Sequence, residues 1–231
     1  MQIKLDFKIF LIIFIFLITR NIQIYVTLML FALIHELGHM ICGIILGLRP
    51  QSISIIPFGF KLAFKVKCDD YNIRIKNGNK LALKKIIIAI AGPFTNFICI
   101  IFLYLFKDYI STYNLYNAIY ANILLMLFNL IPIYPLDGGR ILQGILHITI
   151  GLRESYNFTK TITNVNTIIL TAISSILILY YKNIAILLVI IYLWLIVYEC
   201  NKYYKIKEKI YGKIKQISKP KETKNDLALN K

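Results

Sequence analysis

The chain has 231 residues, of which 58% are hydrophobic and 16% are charged, and its formal net charge is +16. A soluble domain typically has about 45–50% apolar and about 25% charged residues, so this composition excludes a soluble globular enzyme, a disordered chain and a collagen-like fibre. The length suits a membrane protein with about six spans of roughly 20 residues each.

Six apolar runs predict an all-α polytopic membrane protein. The predicted spans are Phe7–Thr19, Ile22–Gly47, Ile86–Phe106, Leu115–Ile131, Val165–Tyr181 and Ile184–Tyr198. The first is short for a bilayer, so it must tilt little, thin the bilayer or borrow residues from its flanks. A Pro/Gly-rich segment follows the fourth span, and a short helix is predicted after it over Arg140–Ile150.

Basic residues gather in the segments between the apolar runs. The connector 49–85 contains nine lysines and arginines, and the segment from Asn201 onward contains ten lysines. Six spans with both termini in the cytosol place every strongly basic segment on the cytosolic side, as the positive-inside rule requires. The charge therefore predicts the topology of a multi-pass integral membrane protein in a lipid bilayer, and we expect no nucleic-acid partner.

The connector between the second and third spans contains two stretches with β-type alternation, Ser52–Phe60 and Leu62–Lys67. These stretches predict a short β-hairpin in this first cytosolic connector, lying at the membrane surface or dipping into it. An edge strand at this place could pair with an extended peptide. A hairpin with a purely structural role is the alternative.

The sequence divides into a six-span domain, residues 1–200, and a basic amphipathic cytosolic tail, residues 201–231. Apolar residues recur in the tail at steps of three and four, with lysines between them, at Tyr203, Ile206, Ile210, Ile214 and Ile217. This pattern predicts a helix that lies on an anionic leaflet. The tail either anchors the chain and fixes its topology, or docks a cytosolic domain of a substrate or a regulator.

The second predicted span contains the sequence HELGH at residues 35–39. His35 and His39 are four residues apart, so they share one face of a helix and can bind one metal ion. Glu36 cannot share that ligand position, but it can reach a water at the metal and act as a general base, as in zinc metalloproteases. Ionisable groups inside a span are costly unless they are paired or functional. A buried polar cluster that holds helices together is the alternative.

A catalytic zinc site usually takes three protein ligands and leaves one position for water. The candidate for the third ligand is Asp137, within NLIPIYPLDGG at residues 129–139. Pro132 and Pro135 break the helix, and broken backbone at membrane depth is tolerated where it is buried or lines a wet cavity. The predicted topology brings Asp137 and both histidines toward the cytosolic leaflet. A helix N-cap is the alternative role for Asp137.

Three motifs together carry a resemblance to a known family: HELGH, AGPFTN at residues 91–96, and the LDGG-containing segment 129–139. This combination resembles the site-2 protease family of intramembrane zinc metalloproteases. The phrase IPFG at residues 56–59 is similar to the stage IV sporulation protein FB-type branch of that family.

The resemblance implies a role for each residue that matches a family motif. His35, His39 and Asp137 would bind one zinc ion per chain, and Glu36 would activate water. Asn129 would contact the substrate or polarise the scissile carbonyl, although a helix-packing amide is the alternative. Pro135, Ile56 and Gly59 are further candidates for substrate contact.

The resemblance also implies an intramembrane endopeptidase that cleaves a membrane-associated substrate near the cytosolic leaflet. The implied substrate is a pro-sigma-type transcription factor processed during sporulation, and inhibitory or regulatory membrane proteins are expected partners. The sequence contains no PDZ-like insertion and no CBS-like domain after the last span, so we expect no nucleotide sensing. The alternatives are a metal transporter and a catalytically inactive membrane scaffold that use the same residues.

Overall fold

The computed structural model describes residues 2–18, 22–56, 59–65, 75–181 and 184–217. The helices are α1 (Lys8–Ile18), α2 (Ile22–Ile45), α3 (Ile75–Leu105), α4 (Thr112–Leu130), α5 (Asp137–Ile150), α6 (Leu152–Tyr181) and α7 (Ile184–Ile217). A single 3-10 turn, Lys107–Tyr109, lies between α3 and α4. The strands are β1 (Gln2–Leu5), β2 (Arg49–Ile56) and β3 (Gly59–Lys65). Predictions for Pro57, Phe58 and the segment 218–231 lie outside the described residues.

The mostly helical architecture confirms the predicted all-α class with a short hairpin. Among the described residues, three helical segments are long and apolar enough to cross a membrane: Ile22–Ile45, Asn79–Leu105 and Leu152–Tyr180. Exposed apolar side chains such as Phe94 and Leu127 cover the outside of the helices. That surface suits contact with lipid tails. The count of six spans and the cytosolic location of both termini stay predictions.

Several helices extend beyond the apolar runs that predicted them. α3 begins at Ile75 and α6 at Leu152, well before the predicted spans, and α7 continues to Ile217. An apolar run marks the part of a helix that prefers lipid, whereas backbone hydrogen bonding continues into polar sequence. α5 begins at Asp137, three residues before the predicted start at Arg140, because Gly138 and Gly139 are helical.

The strands form one three-stranded sheet in the order β1-β2-β3. β2 and β3 pair in antiparallel fashion, with Ile53 opposite Leu62, which confirms the predicted hairpin. β1 pairs with β2 in parallel fashion, with Gln2 opposite Ser52. β1 was not predicted from sequence, because four residues show too little alternation to be recognised as a strand. β3 is therefore an edge strand of this sheet.

Small residues bring the described helices of the first part of the chain close together. Phe31 of α2 packs with Ala118 and Ala121 of α4 in a buried apolar cluster. A Cβ atom on Gly144 of α5 would overlap the side chain of Ile86 on α3. Close approach at small residues is a common way for membrane helices to pack, since lipid provides no hydrophobic drive between them.

The chain divides into two compact units, Met1–Ile169 and Leu170–Lys231, with the boundary inside α6. The first unit contains the sheet, α1 to α5 and the beginning of α6. In the second unit, Trp194 Nε1 of α7 donates a hydrogen bond to Thr171 Oγ1 of α6 at 2.9 Å. The predicted division at residue 200 stays a prediction.

The contact between Gly144 and Ile86 leads to a test of the α3–α5 packing. We expect Gly144→Val to lower the free energy of unfolding by about 1–3 kcal/mol, because the added side chain overpacks the interface. Thermal unfolding in detergent would measure this loss. The double variant Gly144→Val/Ile86→Ala should recover part of it; equal stability of the single and double variants would contradict the described packing.

Candidate metal centre and active site

His35 and His39 lie on one face of α2 and are buried, with exposed fractions of 5% and 2%. Their rings meet edge to face with centroids 4.7 Å apart. The two Nε2 atoms are 3.1 Å apart. The helical spacing of four residues thus brings both imidazole nitrogens to one point, as the sequence predicts.

Asp137, the first residue of α5, is also buried and completes the cluster. Its Oδ2 lies 3.0 Å from Nε2 of His35 and 3.1 Å from Nε2 of His39. Among the described residues, these three side chains form a group that could hold a metal ion, with candidate ligand atoms within 4.8 Å of one another. Two residues about a hundred positions away from the third in sequence therefore converge as predicted.

The donor atoms of the cluster fit a cation. His39 Nδ1 lies 2.6 Å from the carbonyl oxygen of Ile88, which can only accept, so this nitrogen carries the hydrogen. In the neutral ring, Nε2 then presents a lone pair toward the carboxylate oxygen of Asp137. Two lone pairs at this distance repel unless a positive charge lies beside them. Two imidazoles and one carboxylate form a ligand set that suits zinc.

Gly92 of α3 allows the third helix to pack directly against the two histidine rings. A Cβ atom at this position would lie 2.5 Å from Nε2 of His35 and would also overlap the ring of His39. Because no such contact is sterically possible, only glycine permits this approach of α3. The glycine of the AGP sequence at residues 91–93 is thereby explained by packing against the two candidate ligands. Ile88, which bonds His39, lies one turn earlier on α3.

The segment between α4 and α5 is held by hydrogen bonds from α6. The backbone N–H of Tyr134 donates to Thr163 Oγ1 at 3.0 Å, and Asn166 Nδ2 donates to the carbonyl oxygen of Pro132 at 3.2 Å. Ile133 between them is fully buried. This segment leads directly into Asp137, so α6 fixes the start of α5.

Thr163 and Asn166 were not among the residues predicted from sequence. A signal for them exists, since small polar residues recur at steps of four along α6 and are buried, namely Ser155, Thr159, Thr163 and Thr167. Such a stripe in a membrane helix indicates a face that packs against protein. It does not indicate which segment packs there.

A second oxygen of Asp137 has its own partner. Oδ1 lies 3.5 Å from Nη1 of Arg140, one turn along α5. The arginine therefore faces the oxygen that the histidines leave unused. Outer partners of this kind orient a ligating carboxylate.

Glu36 is buried on α2 beside the cluster and faces the hairpin. Its Oε1 accepts a hydrogen bond from the backbone N–H of Leu62 in β3. β3 also contacts α2 on either side of this hydrogen bond. Gly59 approaches Ala32, and the ring of Phe64 occupies the space beside Gly43. The hairpin thus lies directly over the HELGH turn.

The remaining predicted site residues lie in three places. Asn129 is half-buried near the end of α4, and its Nδ2 donates to the carbonyl oxygen of Leu125 at 3.0 Å. Pro135 is half-buried in the segment that leads into Asp137. Ile56 and Gly59 pair with each other at the end of the hairpin. Their contacts with a substrate stay predictions.

The sequence profile described as Peptidase family M50 matches residues 23–119 and 107–173 of this chain, which include all the residues of the cluster. The chain belongs to peptidase family M50. This membership confirms the resemblance to site-2 proteases that the motifs indicate. M50 metalloproteases use zinc and are integral membrane proteins, in agreement with the donor set and with the apolar helices.

Two proteins of known name are similar to this chain in sequence. A zinc metalloprotease of Methanocaldococcus jannaschii is 29% identical over 174 residues, which are 71% of this chain and 47% of the relative. Stage IV sporulation protein FB of Bacillus subtilis is 26% identical over 130 residues, which are 54% of this chain and 41% of the relative. The chain thus spans less than half the length of these relatives.

A solved structure supports the fold of the M50 chain. The site-2 protease from Methanocaldococcus jannaschii matches with a TM-score of 0.64 and 24% sequence identity. The match covers 85% of this chain and 89% of the solved chain. The two proteins therefore share a fold.

The contact of Gly92 with both histidine rings leads to a prediction about metal affinity. We expect Gly92→Ala to weaken zinc binding at least about tenfold, because the added methyl group displaces both candidate ligands. Chelator competition with metal analysis of the purified protein would measure the affinity. Ile90→Ala, at an exposed position of α3, is the matched control. Equal zinc affinity of Gly92→Ala and wild type would contradict the described approach of α3.

Proposed function

We propose that the chain is an intramembrane zinc endopeptidase that cleaves a membrane-associated protein near the cytosolic leaflet. One observation supports this proposal: His35, His39 and Asp137 meet in a buried cluster, and Glu36 directly follows His35 on α2. A cluster with a purely structural role would not require Glu36 as a second carboxylate, because an acidic group in an apolar helix is costly.

Each residue of the cluster has a proposed task. His35, His39 and Asp137 would hold one zinc ion, which would supply Lewis-acid chemistry toward a water and the peptide carbonyl. Glu36 takes the proton of the attacking water and then gives it to the leaving amine. Asn129 can donate from Nδ2 to the scissile carbonyl oxygen once it leaves its bond to Leu125.

The hairpin is proposed to hold the substrate in an extended form. A helical substrate has its carbonyls hydrogen-bonded, so it must unwind locally before cleavage. The hairpin lies beside Glu36, and the edge of β3 can pair with an unwound strand through backbone groups other than the Leu62 N–H, which bonds to Glu36. Ile56 and Gly59 at the hairpin end and Pro135 beside Asp137 are the proposed substrate contacts.

The proposed substrate is a pro-sigma-type transcription factor whose cleaved form is released into the cytosol during sporulation. The similarity to stage IV sporulation protein FB supports this class. Inhibitory or regulatory membrane proteins are the proposed partners. Six spans with both termini in the cytosol would place the cluster on the side where the product is released.

The alternatives fit the residues less well. A metal transporter needs ionisable groups along a path through the membrane. Glu36 is the only acidic residue in the sequences of α2, α3 and α4. An inactive scaffold would not require a buried glutamate directly after His35 on α2. Cleavage by wild type and its loss in Glu36→Gln would distinguish the endopeptidase from both alternatives.

Removal of the proposed base, Glu36, is the main test of the proposed function. In membranes that contain a tagged pro-sigma-type substrate, we expect Glu36→Gln to reduce cleavage by about 10²–10⁴-fold while zinc stays bound, because only the base is removed. Glu199→Gln, at an exposed position of α7, is the matched control. Equal cleavage by wild type and Glu36→Gln would remove the catalytic proposal.

The hairpin leads to a second test. Ser54 of the central strand pairs with Lys4 on one side and Lys61 on the other. Proline in a central strand removes a ladder hydrogen bond, so we expect Ser54→Pro to reduce cleavage at least about tenfold with zinc retained. Ser54→Ala controls for the side chain. Equal cleavage by the two variants would contradict a role of the hairpin in holding substrate.

A further inference from the structure

The hydrogen bond between the hairpin and Glu36 has a particular geometry. Leu62 lies opposite Ile53 in the antiparallel ladder of β2 and β3. Residues of an antiparallel strand alternately direct both backbone groups toward the partner strand or away from it. Because the N–H of Leu62 bonds to Glu36, it points away from β2, at the free edge of β3. The bond to Glu36 therefore uses no group that the hairpin needs for its own pairing.

Packing of β3 against α2, on both sides of Leu62, fixes the position of this N–H. Gly59, three residues before Leu62, approaches Ala32, and the ring of Phe64, two residues after it, fills the space above Gly43. These contacts lie on either side of Glu36 in sequence. The donor is thus a backbone group of a sheet that is anchored against the same helix as the acceptor.

A glutamate side chain has several rotatable bonds, and a base is efficient only when its oxygen is held within reach of the proton. A bond to Oε1 fixes the carboxylate and leaves Oε2 to receive the proton. It also compensates part of the cost of burying the charge, since a buried carboxylate needs hydrogen-bond donors.

We propose that the backbone N–H of Leu62 is a positioning group that orients the Glu36 carboxylate for its work as the base. This inference rests on the proposed function of Glu36. It makes β3 part of the proton-transfer apparatus, in addition to its proposed pairing with substrate.

The first test measures the bond without any substrate. Hydrogen–deuterium exchange of the purified zinc-loaded protein in detergent reports the protection of the Leu62 amide. We expect this amide to exchange at least about tenfold faster in Glu36→Ala than in wild type, and to stay protected in Glu36→Gln, which keeps an acceptor oxygen. Glu199→Ala is the control for loss of an acidic residue elsewhere. Unchanged protection in Glu36→Ala overturns the proposal.

The second test removes the N–H and also weakens the carbonyl oxygen of Lys61 as an acceptor, since that carbonyl becomes part of the ester. Replacing Leu62 by its α-hydroxy acid, leucic acid, converts the amide to an ester and keeps the side chain. We expect kcat to fall about ten- to hundredfold, as for loss of a hydrogen bond to a charged group, with KM and zinc content unchanged. The same replacement at Leu152, whose N–H lies in the first turn of α6 where helices leave donors unbonded, is the matched control.

Each other outcome of the ester test overturns the proposal in a different way. A higher KM with unchanged kcat would show that the amide binds substrate and does not position Glu36. Loss of zinc or of folding would show a structural role, and unchanged kinetics would show no role. If wild type itself cleaves no substrate, the proposed function fails, while the exchange measurement still decides whether Leu62 holds Glu36.

Discussion

The close approach of one carboxylate oxygen and two imidazole nitrogens, at 3.0–3.1 Å, is the constraint on which the rest of the structure depends. These atoms are buried, so water cannot separate them, and the approach is favourable when a proton or a bound cation lies between the donor atoms. The surrounding features serve this approach. Gly92 leaves room for the rings, Ile88 fixes the hydrogen of His39, and Arg140 faces the unused oxygen of Asp137.

The three candidate ligands are held in two different ways. His35 and His39 need only one helix, because a spacing of four residues gives them a shared face. Asp137 arrives after a break in the helix and depends on contacts far away in sequence. Thr163 and Asn166 of α6 bind the backbone of the segment before it, and Ile133 in that segment is fully buried. The third ligand is therefore more sensitive to packing than the first two.

This difference explains how much of the site could be predicted. The metal-binding pair and Glu36 follow from a local motif, and Asp137 follows from proline and glycine residues that break a helix around an acidic side chain. The membrane class and the hairpin follow from composition and alternation. β1, the extended helices and the bonds from α6 and Leu62 could not be predicted, because each depends on which segments meet in space. Alternation over four residues, or one threonine in an apolar helix, is compatible with many partners.

The HELGH sequence contains both candidate metal ligands and the proposed base, but different elements hold them in place. The candidate metal ligands are supported by α3, α5 and α6, whereas the proposed base takes its hydrogen bond from β3. A displacement of the hairpin would therefore change the orientation of Glu36 without changing the contacts of the three ligands. Since the edge of β3 is also the proposed place for an extended substrate, strand pairing and base orientation depend on the same element. In the proposed arrangement, a substrate strand paired with β3 would act on the orientation of Glu36 through the backbone of β3, while the contacts among His35, His39 and Asp137 would stay unchanged.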